Sequence, residues 1–435
     1  MARTIVEIKE QYLSGAIKTQ HLEAVVFEDV YQSQREKLAE ACADAASIRR
    51  EMLEEHTGVK MPVVGGTKLD SCTLTKDGTV LTGIENKIGS ALVPLGFAGP
   101  VKINGDFAKG DYYLPLATNE AALIAGTQRG VKAINLSGGL TTIVTFDGMT
   151  RAPMVEAPSL ARGRDMINAL ADEAYIADLG KLCKDPFVRL TGIDTYQVGT
   201  KIFLRMFYKT GDAMGMNGCT KASADITKAI MERFSDFTLI SITSNLCSDK
   251  KSNHINILTG RGKTVHATVF IPEEVLGKVF RAGVTSRKVE KLVFNKCYLG
   301  SAFSGTMGGY NVNTANALAA FYMATGQDLA HVVSSSSSFL QAEAVGDGLL
   351  VQGFYPQLEV AAMGGGTMFG TAKEMLRMLG CDKVGSSLDD NTSVKKVAEI
   401  AAACAMALDI NTTCTQAAAY ELAEGHVRLA RGEKD

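Results

Sequence analysis

The sequence predicts an α+β protein in which a ferredoxin-like (βαββαβ) domain is inserted into a large glycine-rich α/β domain behind an N-terminal helical segment. Three observations support this prediction. Apolar residues recur at helical spacing near the N-terminus, glycines and short apolar runs flank a central region, and that region alternates strand-like and helix-like patterns. The predicted domains are residues 1–56, residues 57–151 with 254–435, and residues 152–243, with a connecting loop at 244–253.

The N-terminal segment is rich in charged residues and alanine. Its apolar positions follow a helical period, and they are Leu38, Ala41, Ala45, Ile48 and Met52. Residues 62–150 have a different composition, with many glycines and short apolar runs such as 132–136 before Gly138. This pattern predicts strands and tight turns with one or two helices between them.

The central region carries the order strand, helix, strand, strand, helix, strand. We place these elements at residues 154–157, 162–183, 187–190, 201–208, 220–234 and 237–242. The remainder of the chain returns to glycine-rich and alanine-rich sequence and predicts a long helix over residues 393–408. The serine run at 334–338 predicts a polar turn or a helix start.

Composition excludes several classes of protein. The 435-residue chain has a formal net charge of −2, so it does not match nucleic acid or an anionic membrane. It shows no secretory signal and no apolar run near the roughly 20 residues that span a bilayer. The nine cysteines include no Cys-x-x-Cys pair, which disfavours zinc ribbons and redox pairs; no metal site is predicted. Free thiols indicate a reducing compartment, and we predict the cytoplasm while leaving an organellar matrix open.

Four segments carry candidate acid–base groups. Glu85 enters a run of small and apolar residues, and loss of water favours the protonated carboxyl and a role as an acid. Lys250 follows Asp249 directly, and it is either a solvated surface residue or a cation that stabilises an oxyanion. Asp328 could equally cap a helix. His426 is either a surface residue or an acid for a departing thiolate.

Two glycine-rich segments could bind phosphate through backbone N–H groups and a helix N-terminus. They are Asp212-Ala213-Met214-Gly215-Met216-Asn217-Gly218 and Met363-Gly364-Gly365-Gly366-Thr367. Taken alone, each is as consistent with an ordinary turn before a helix. The dinucleotide fingerprint Gly-x-Gly-x-x-Gly is absent from the sequence, which disfavours a standard Rossmann site.

Taken together, these motifs resemble the 3-hydroxy-3-methylglutaryl-coenzyme A reductase family. The resemblance extends from about residue 48 to the C-terminus. The matching segments are Glu85-Asn86-x-Ile88-Gly89, Pro94-x-Gly96-x-Ala98-Gly99-Pro100, Asp212-Ala213-Met214-Gly215-Met216-Asn217, Ser248-Asp249-Lys250-Lys251, Gly260-Arg261-Gly262-Lys263, Gly308-Gly309-Tyr310-Asn311, Gly326-Gln327-Asp328, Gly364-Gly365-Gly366-Thr367 and Gly425-His426. The Met-Gly-Met-Asn form resembles the class I branch, here without a membrane anchor.

The resemblance implies reduction of hydroxymethylglutaryl-coenzyme A to mevalonate and coenzyme A with two NADPH, NADH being an alternative. It implies that Lys250 stabilises the oxyanion, that Glu85 supplies a proton to the carbonyl oxygen, that Asp328 tunes the Lys250–Glu85 pair, and that His426 protonates the coenzyme A thiolate. It further implies a homodimer or homotetramer with active sites between subunits, in which the large domain binds substrate and the inserted domain binds the cofactor.

The resemblance also assigns binding residues. The substrate-site residues are Arg151, Asp249, Lys251, Lys296 and Asn316. The cofactor-site residues are Asp185, Asp212, Met214, Gly215, Met216, Asn217, Gly364, Gly365, Gly366 and Thr367.

Several positions depart from the family pattern. Asp185-Pro186 stands where a Ser-Arg pair often precedes Phe187, so we predict a weakened preference for the 2′-phosphate of NADPH. Asn119-Glu120-Ala121 replaces the usual Thr-Glu-Gly. Two alternatives stay open: a coenzyme A thioester-binding protein without turnover, and the same enzyme working in the oxidative, mevalonate-degrading direction.

Overall fold

The computed structural model describes residues 3–34, 37–62, 73–74, 80–81, 92–280 and 283–418. The chain divides into two compact units, residues 1–90 and residues 91–435. Two of the predicted catalytic residues, Glu85 and His426, lie outside the described residues.

The first unit is helical, with one short pair of antiparallel strands. Its elements are α1 (Ile5–Leu13), α2 (Leu22–Asp29), α3 (Leu38–Thr57), β1 (Thr73–Leu74) and β2 (Val80–Leu81). The predicted helical period is confirmed in α3, where Ala41, Ala45 and Ile48 are buried on one face. This helix ends at Gly58, whose left-handed φ of 69° suits a residue without a Cβ.

The second unit contains ten strands and twelve helices among the described residues. The strands are β3 (Leu95–Gly105), β4 (Lys109–Ala117), β5 (Leu140–Arg151), β6 (Met154–Glu156), β7 (Arg189–Val198), β8 (Lys201–Lys209), β9 (Thr238–Ser241), β10 (Gly262–Pro272), β11 (Phe339–Val345) and β12 (Gly348–Leu358). The helices are α4 (Leu123–Leu136), α5 (Leu160–Leu170), α6 (Glu173–Gly180), α7 (Met216–Arg233), α8 (Ile255–Thr259), α9 (Glu273–Val279), α10 (Ser286–Val293), α11 (Ser301–Ser304), α12 (Thr314–Thr325), α13 (Val332–Ser335), α14 (Gly370–Met378) and α15 (Thr392–Ala417).

The strands form one continuous, mainly antiparallel sheet. Its first part has the order β11-β12-β10-β5, and β3 pairs in parallel with β5 and antiparallel with β4. The end of β5, Met149–Arg151, continues into a second part by pairing with β8. That part has the order β7-β8-β6-β9, with every pair antiparallel. Arg151 therefore lies where the two parts of the sheet meet.

The segment between β6 and β9 has a hydrophobic core of its own. Buried residues of β8, including Ile202 and Leu204, cluster with Ile226 and Ile230 of α7. The predicted single helix over 162–183 is instead α5 and α6, because the Asp172 carboxylate accepts a hydrogen bond from the Ala174 N–H and starts a new helix. The predicted order of strands and helices is otherwise present.

Residues 132–136 are helical, in agreement with the prediction of one or two helices among the strands of residues 62–150. They form the end of α4, which packs against α15 with Val131, Ala133 and Ile134 buried. The crossing is very tight at Gly130, where an added Cβ would lie 1.8 Å from the Ala407 carbonyl oxygen. The short apolar run before the two glycines is only the last part of a helical period, which begins earlier in the chain.

Helix α15 is the centre of the large hydrophobic core. It contacts α4, α12, α10 and several strands of the sheet, and its residues from Val397 to Thr415 are all buried. It is longer than the predicted 393–408 helix and is long and apolar enough to cross a membrane. Its apolar window is completely enclosed by protein, as in the core helix of a globular fold.

Asp409 of α15 fixes the start of α12. Its carboxylate accepts hydrogen bonds from the Asn313 N–H at 2.6 Å and from Thr314 Oγ1 at 2.7 Å. Burial of this carboxyl raises its pKa to about 6, despite the opposing effect of these hydrogen bonds.

The raised pKa of Asp409 predicts a pH-dependent stability. Between pH ~4 and ~6 the native state holds a proton that the unfolded chain releases, so the free energy of unfolding falls as pH rises, by up to about 3 kcal/mol. We expect Asp409→Asn to abolish this decrease in the free energy of unfolding, as measured by chemical denaturation across that pH range. The exposed Asp111→Asn is the control, and parallel curves for Asp409→Asn and the unaltered protein would contradict the assignment.

Candidate active site

The loop that carries Lys250 has an unusual backbone. Asn245, Ser248 and Lys250 all have positive φ, at 64°, 48° and 57°. A left-handed conformation costs a non-glycine residue about 1–2 kcal/mol, so such residues persist only where the surroundings hold them. The strain points to a constrained functional loop.

The buried Arg205 of β8 holds this loop in place. Its guanidinium donates to the Leu246 carbonyl oxygen at 2.5 Å and to Asn256 Oδ1 at 2.9 Å. Asn256 in turn donates to the Cys247 carbonyl oxygen at 3.3 Å, while Asn253 donates to the Lys251 carbonyl oxygen at 2.7 Å. The middle of β8 and the start of α8 therefore set the position of the loop that carries Lys250.

Lys250 and Asp328 form an ion pair, as the resemblance implied. The Lys250 Nζ lies 2.8 Å from Asp328 Oδ2, and both side chains are only partly exposed. Partial burial raises the pKa of Asp328, but the hydrogen bond from Lys250 and nearby His331 outweigh it, and the pKa is lowered. Asp328 also caps the following turn, because its carboxylate accepts from the Ala330 N–H at 3.1 Å. Asp328 therefore caps a turn and pairs with Lys250 at the same time.

Asp249 is surrounded by cations. Its Oδ1 lies 2.9 Å from His331 Nε2 and 3.1 Å from Arg261 Nη2, and its Oδ2 lies 3.6 Å from Arg151 Nη1. Burial of the carboxyl raises its pKa, yet the hydrogen bond from His331 and the charges of the two arginines hold it well below its usual range. Asp249 is therefore ionised at neutral pH and orients its partners.

Glu359 supports this cluster from the interior. It is buried, it pairs with the buried Arg261, and it accepts a hydrogen bond from Ser334 Oγ. His331 Nε2 is 3.8 Å from Glu359 Oε2. Since a buried ion pair is stable only when its charges are well compensated, this pairing fixes the Arg261 guanidinium rigidly.

The two predicted phosphate-binding segments lie side by side. The Ala362 N–H donates to the Asp212 carbonyl oxygen at 2.9 Å, and Ala213 forms a parallel bridge with Met363. Gly215, with φ of 86°, precedes α7, so that helix begins at Met216 rather than at the predicted residue 220. The exposed Gly366 also lies against the turn that precedes Asp328, because an added Cβ at Gly326 would lie 2.5 Å from the Gly366 carbonyl oxygen.

Other predicted cofactor residues have varied surroundings. The Asp212 carboxylate accepts from the Gly385 and Val394 N–H groups and so holds the start of α15. Thr367 is buried and donates to the Gly364 carbonyl oxygen, Met214 packs against the inserted core, and Asn217 is exposed on the first turn of α7.

Helix α7 connects this region to the substrate-site arginines. The Arg151 guanidinium donates to Thr220 Oγ1 at 2.7 Å from Nη2 and at 3.0 Å from Nε. Met216 Sδ lies 2.9 Å from Arg261 Nη2. The start of α7 therefore adjoins the same two arginines that surround Asp249.

The remaining substrate-site predictions lie elsewhere. Lys251 is exposed and donates to the Asp249 carbonyl oxygen at 3.2 Å. Lys296 is exposed on a π-helical turn, Phe294–Gly300. Asn316 of α12 donates to Glu120 Oε2 at 2.7 Å. Within the described part of the chain, no hydrogen bond or ion pair joins Lys296 or the Asn316–Glu120 pair to Lys250, Asp249 or Asp328.

Sequence reasoning missed three residues that surround Lys250 and Asp249: Arg261, His331 and Glu359. Arg261 appeared only within the motif Gly260-Arg261-Gly262-Lys263, without a role. His331 and Glu359 gave no signal, because their significance depends on contacts between distant segments.

A lysine paired with a carboxylate, buried arginines beside it and two adjoining glycine turns are typical of an enzyme that binds anionic groups and stabilises negative charge. Comparison with known proteins identifies the family. Residues 45–431 match the family described as Hydroxymethylglutaryl-coenzyme A reductase. The chain belongs to the hydroxymethylglutaryl-coenzyme A reductase family, whose members are oxidoreductases of the mevalonate pathway, and the resemblance inferred from the motifs is confirmed.

Individual relatives cover most of the chain. It is 35% identical to 3-hydroxy-3-methylglutaryl-coenzyme A reductase of Pyrococcus horikoshii over 98% of both proteins, and 40% identical to that of Aeropyrum pernix over 89% of this chain and 90% of the relative. A class II reductase structure from Streptococcus pneumoniae, bound to NADPH, superposes with a TM-score of 0.65 at 16% identity, covering 85% of this chain and 96% of that one. The last match supports the mixed helix–sheet fold.

Proposed function

We propose that this protein reduces hydroxymethylglutaryl-coenzyme A to mevalonate and free coenzyme A with two NAD(P)H. The observation that carries the proposal is the Lys250–Asp328 ion pair at 2.8 Å, next to the cation-rich surroundings of Asp249. Reduction of a thioester places negative charge on its carbonyl oxygen, and a fixed ammonium group is suited to stabilise that charge.

Within this proposal, each half of the ion pair has its own task. The Lys250 ammonium stabilises the oxyanion, and Asp328 holds it in place because a turn cap and His331 restrict the carboxylate itself. His426 protonates the coenzyme A thiolate, which makes the thiol a better leaving group. A second proton goes to the carbonyl oxygen from a carboxylic acid, for which Glu85 and Glu120 are both candidates.

The hydroxymethylglutaryl group binds, we propose, at Arg151, Asp249 and the exposed Lys251.

 The Asp249 carboxylate orients the Arg151 guanidinium, whose Nη1 lies 3.6 Å away, and a guanidinium can bind the substrate carboxylate with two parallel hydrogen bonds. Lys296 and Asn316 are the further substrate contacts that the motifs assign.

For the cofactor, we propose a site on a ferredoxin-like inserted domain formed by β6 to β9 with α5 to α7. The adjoining glycine turns fit a pyrophosphate group, because Gly215 opens α7 with free backbone N–H groups and glycines 364–366 leave room for close approach. When bound there, the nicotinamide supplies hydride. The task of the protein is to hold the phosphates at the start of α7, beside Arg261 and Arg151.

Asp185 determines cofactor preference in this proposal. It lies against the first turn of α7, since an added Cβ at Gly218 would be 3.3 Å from Asp185 Oδ2. A carboxylate here repels the 2′-phosphate of NADPH and can accept from the ribose hydroxyl of NADH. We expect Asp185→Arg to raise the NADPH-to-NADH ratio of kcat/KM by about 10- to 100-fold.

This ratio is measured by steady-state kinetics with each cofactor. Asp178→Arg makes the same charge change at an exposed aspartate of α6 and should leave the ratio unchanged. A strong NADPH preference in the unaltered protein would contradict the role given to Asp185.

We further propose a class I enzyme that acts in the cytoplasm as a homodimer or homotetramer, with active sites between subunits. The 35–40% identity to the two archaeal relatives, against 16% to the class II structure, supports the class I branch. The domain boundaries at 1–56, 57–151 with 254–435, 152–243 and 244–253 belong to the same proposal.

The direct test follows nicotinamide absorbance when the protein meets hydroxymethylglutaryl-coenzyme A with NADPH and NADH in parallel. We expect oxidation of the cofactor together with release of a free thiol. Binding of the thioester without oxidation of either cofactor would instead support a binding protein without turnover.

A further inference from the structure

His331 is buried among carboxylates. The ring is completely enclosed, and Asp249, Asp328 and Glu359 face it from three different segments of the described chain. Asp249 lies in the loop after β9, Asp328 caps the turn that holds His331 itself, and Glu359 follows β12. A histidine that served only to fill the core would face apolar groups instead.

The two ring nitrogens of His331 have different partners. Nε2 lies 2.9 Å from Asp249 Oδ1, and because a carboxylate can only accept, Nε2 carries the proton. Nδ1 is buried and makes no hydrogen bond within the described residues, although Asp328 Oδ2 is 3.5 Å away. A small movement of the Asp328 carboxylate would complete a second hydrogen bond, and a buried unsatisfied nitrogen favours that movement.

The two carboxylates have separate roles in the proposed reaction. Asp328 pairs with Lys250, which stabilises the oxyanion, whereas Asp249 pairs with Arg151 and Arg261 on the substrate-binding side. His331 is the residue between them.

We propose that His331 is a positioning residue that carries a proton on each ring nitrogen, donates from Nε2 to Asp249 and from Nδ1 to Asp328, and so couples the substrate-binding side of the site to Lys250. The inference rests on the proposed reductase function. Loss of the Nε2 contact should loosen Arg151 and raise KM for the thioester, while loss of the Nδ1 contact should loosen Lys250 and lower kcat.

Three substitutions separate these effects. His331→Leu removes both donors, His331→Gln places an amide near the Nε2 position, and His331→Asn places one near the Nδ1 position. We expect His331→Leu to raise KM and lower kcat by about 10-fold or more each, since hydrogen bonds to charged groups are the strong ones. His331→Gln should restore KM but not kcat, and His331→Asn should restore kcat but not KM.

The control is His266→Gln, which makes the same chemical change at a histidine that stacks on Phe354. Thermal unfolding identifies variants that fail to fold, and the proposal is then judged on the amide variants. Unchanged kinetics in folded His331→Leu, or Gln and Asn variants that are indistinguishable from each other, would overturn the proposal.

Calorimetric measurement of thioester binding distinguishes failure of the His331 proposal from failure of the proposed reductase function. If the unaltered protein does not oxidise NADPH or NADH, the reductase proposal fails, and binding of hydroxymethylglutaryl-coenzyme A still tests His331. Weaker binding by about 10-fold in His331→Leu, restored by Gln and not by Asn, would support the Asp249 contact. Equal binding by all variants would overturn it.

Discussion

Replacing Lys250 by alanine is expected to lower kcat by about 100- to 1,000-fold, the usual cost of removing one group that stabilises an oxyanion. The side chain is 41% exposed, so its ammonium group is accessible to a substrate, yet it is held 2.8 Å from Asp328. Because this partly exposed ion pair contributes little to folding, the variant should fold normally. The loss is measured by steady-state kinetics with saturating thioester and cofactor.

Two comparisons show whether the lysine acts through its charge at that position. Lys251→Ala changes the neighbouring exposed lysine and should raise KM while leaving most of kcat, since Lys251 is assigned to binding. Asp328→Asn should lower kcat by a smaller factor, and the Lys250→Ala/Asp328→Asn double variant should be no worse than Lys250→Ala, because the carboxylate acts through the lysine. A folded Lys250→Ala variant with nearly normal kcat would contradict the proposed role.

Local patterns predicted the inserted segment better than the surrounding domain. The strand at 201–208 and the helix at 220–234 have clear periods, and they are close to the observed β8 and α7. The shift of the α7 start to Met216 follows from the left-handed Gly215. By contrast, α15 is buried along nearly its whole length, so its apolar residues do not form the one-sided stripe that identifies a surface helix.

In the site, too, the features that local sequence predicted differ from those that depend on distant contacts. The Lys250–Asp328 contact was implied by two motifs, each of which is recognisable within a few residues. The support of that contact was not predictable, because it depends on Arg261, His331 and Glu359 meeting in the interior. A buried charge is tolerated only with its partners, and the partners are brought together by β10, β12 and the turn after α12.

Replacing Glu85 by glutamine is expected to lower kcat by about 100- to 10,000-fold, the range for loss of a general acid. The resemblance assigns the proton to Glu85, and the alternative candidate is Glu120, whose carboxylate lies 2.7 Å from Asn316, a predicted substrate-site residue. The amide donates to Oε2, which leaves Oε1 available to a substrate. Glutamine keeps the size of the side chain but cannot supply the proton.

Glu120→Gln is the matched variant, and comparison of the two decides which carboxyl group is the acid. If Glu85 supplies the proton, Glu120→Gln should act mainly on KM and leave most of kcat. Asn316→Ala should likewise act mainly on KM, because Asn316 is assigned to the substrate site and contacts Glu120. A larger loss of kcat in Glu120→Gln, with Glu85→Gln nearly unaffected, would contradict the assignment and give the proton to Glu120.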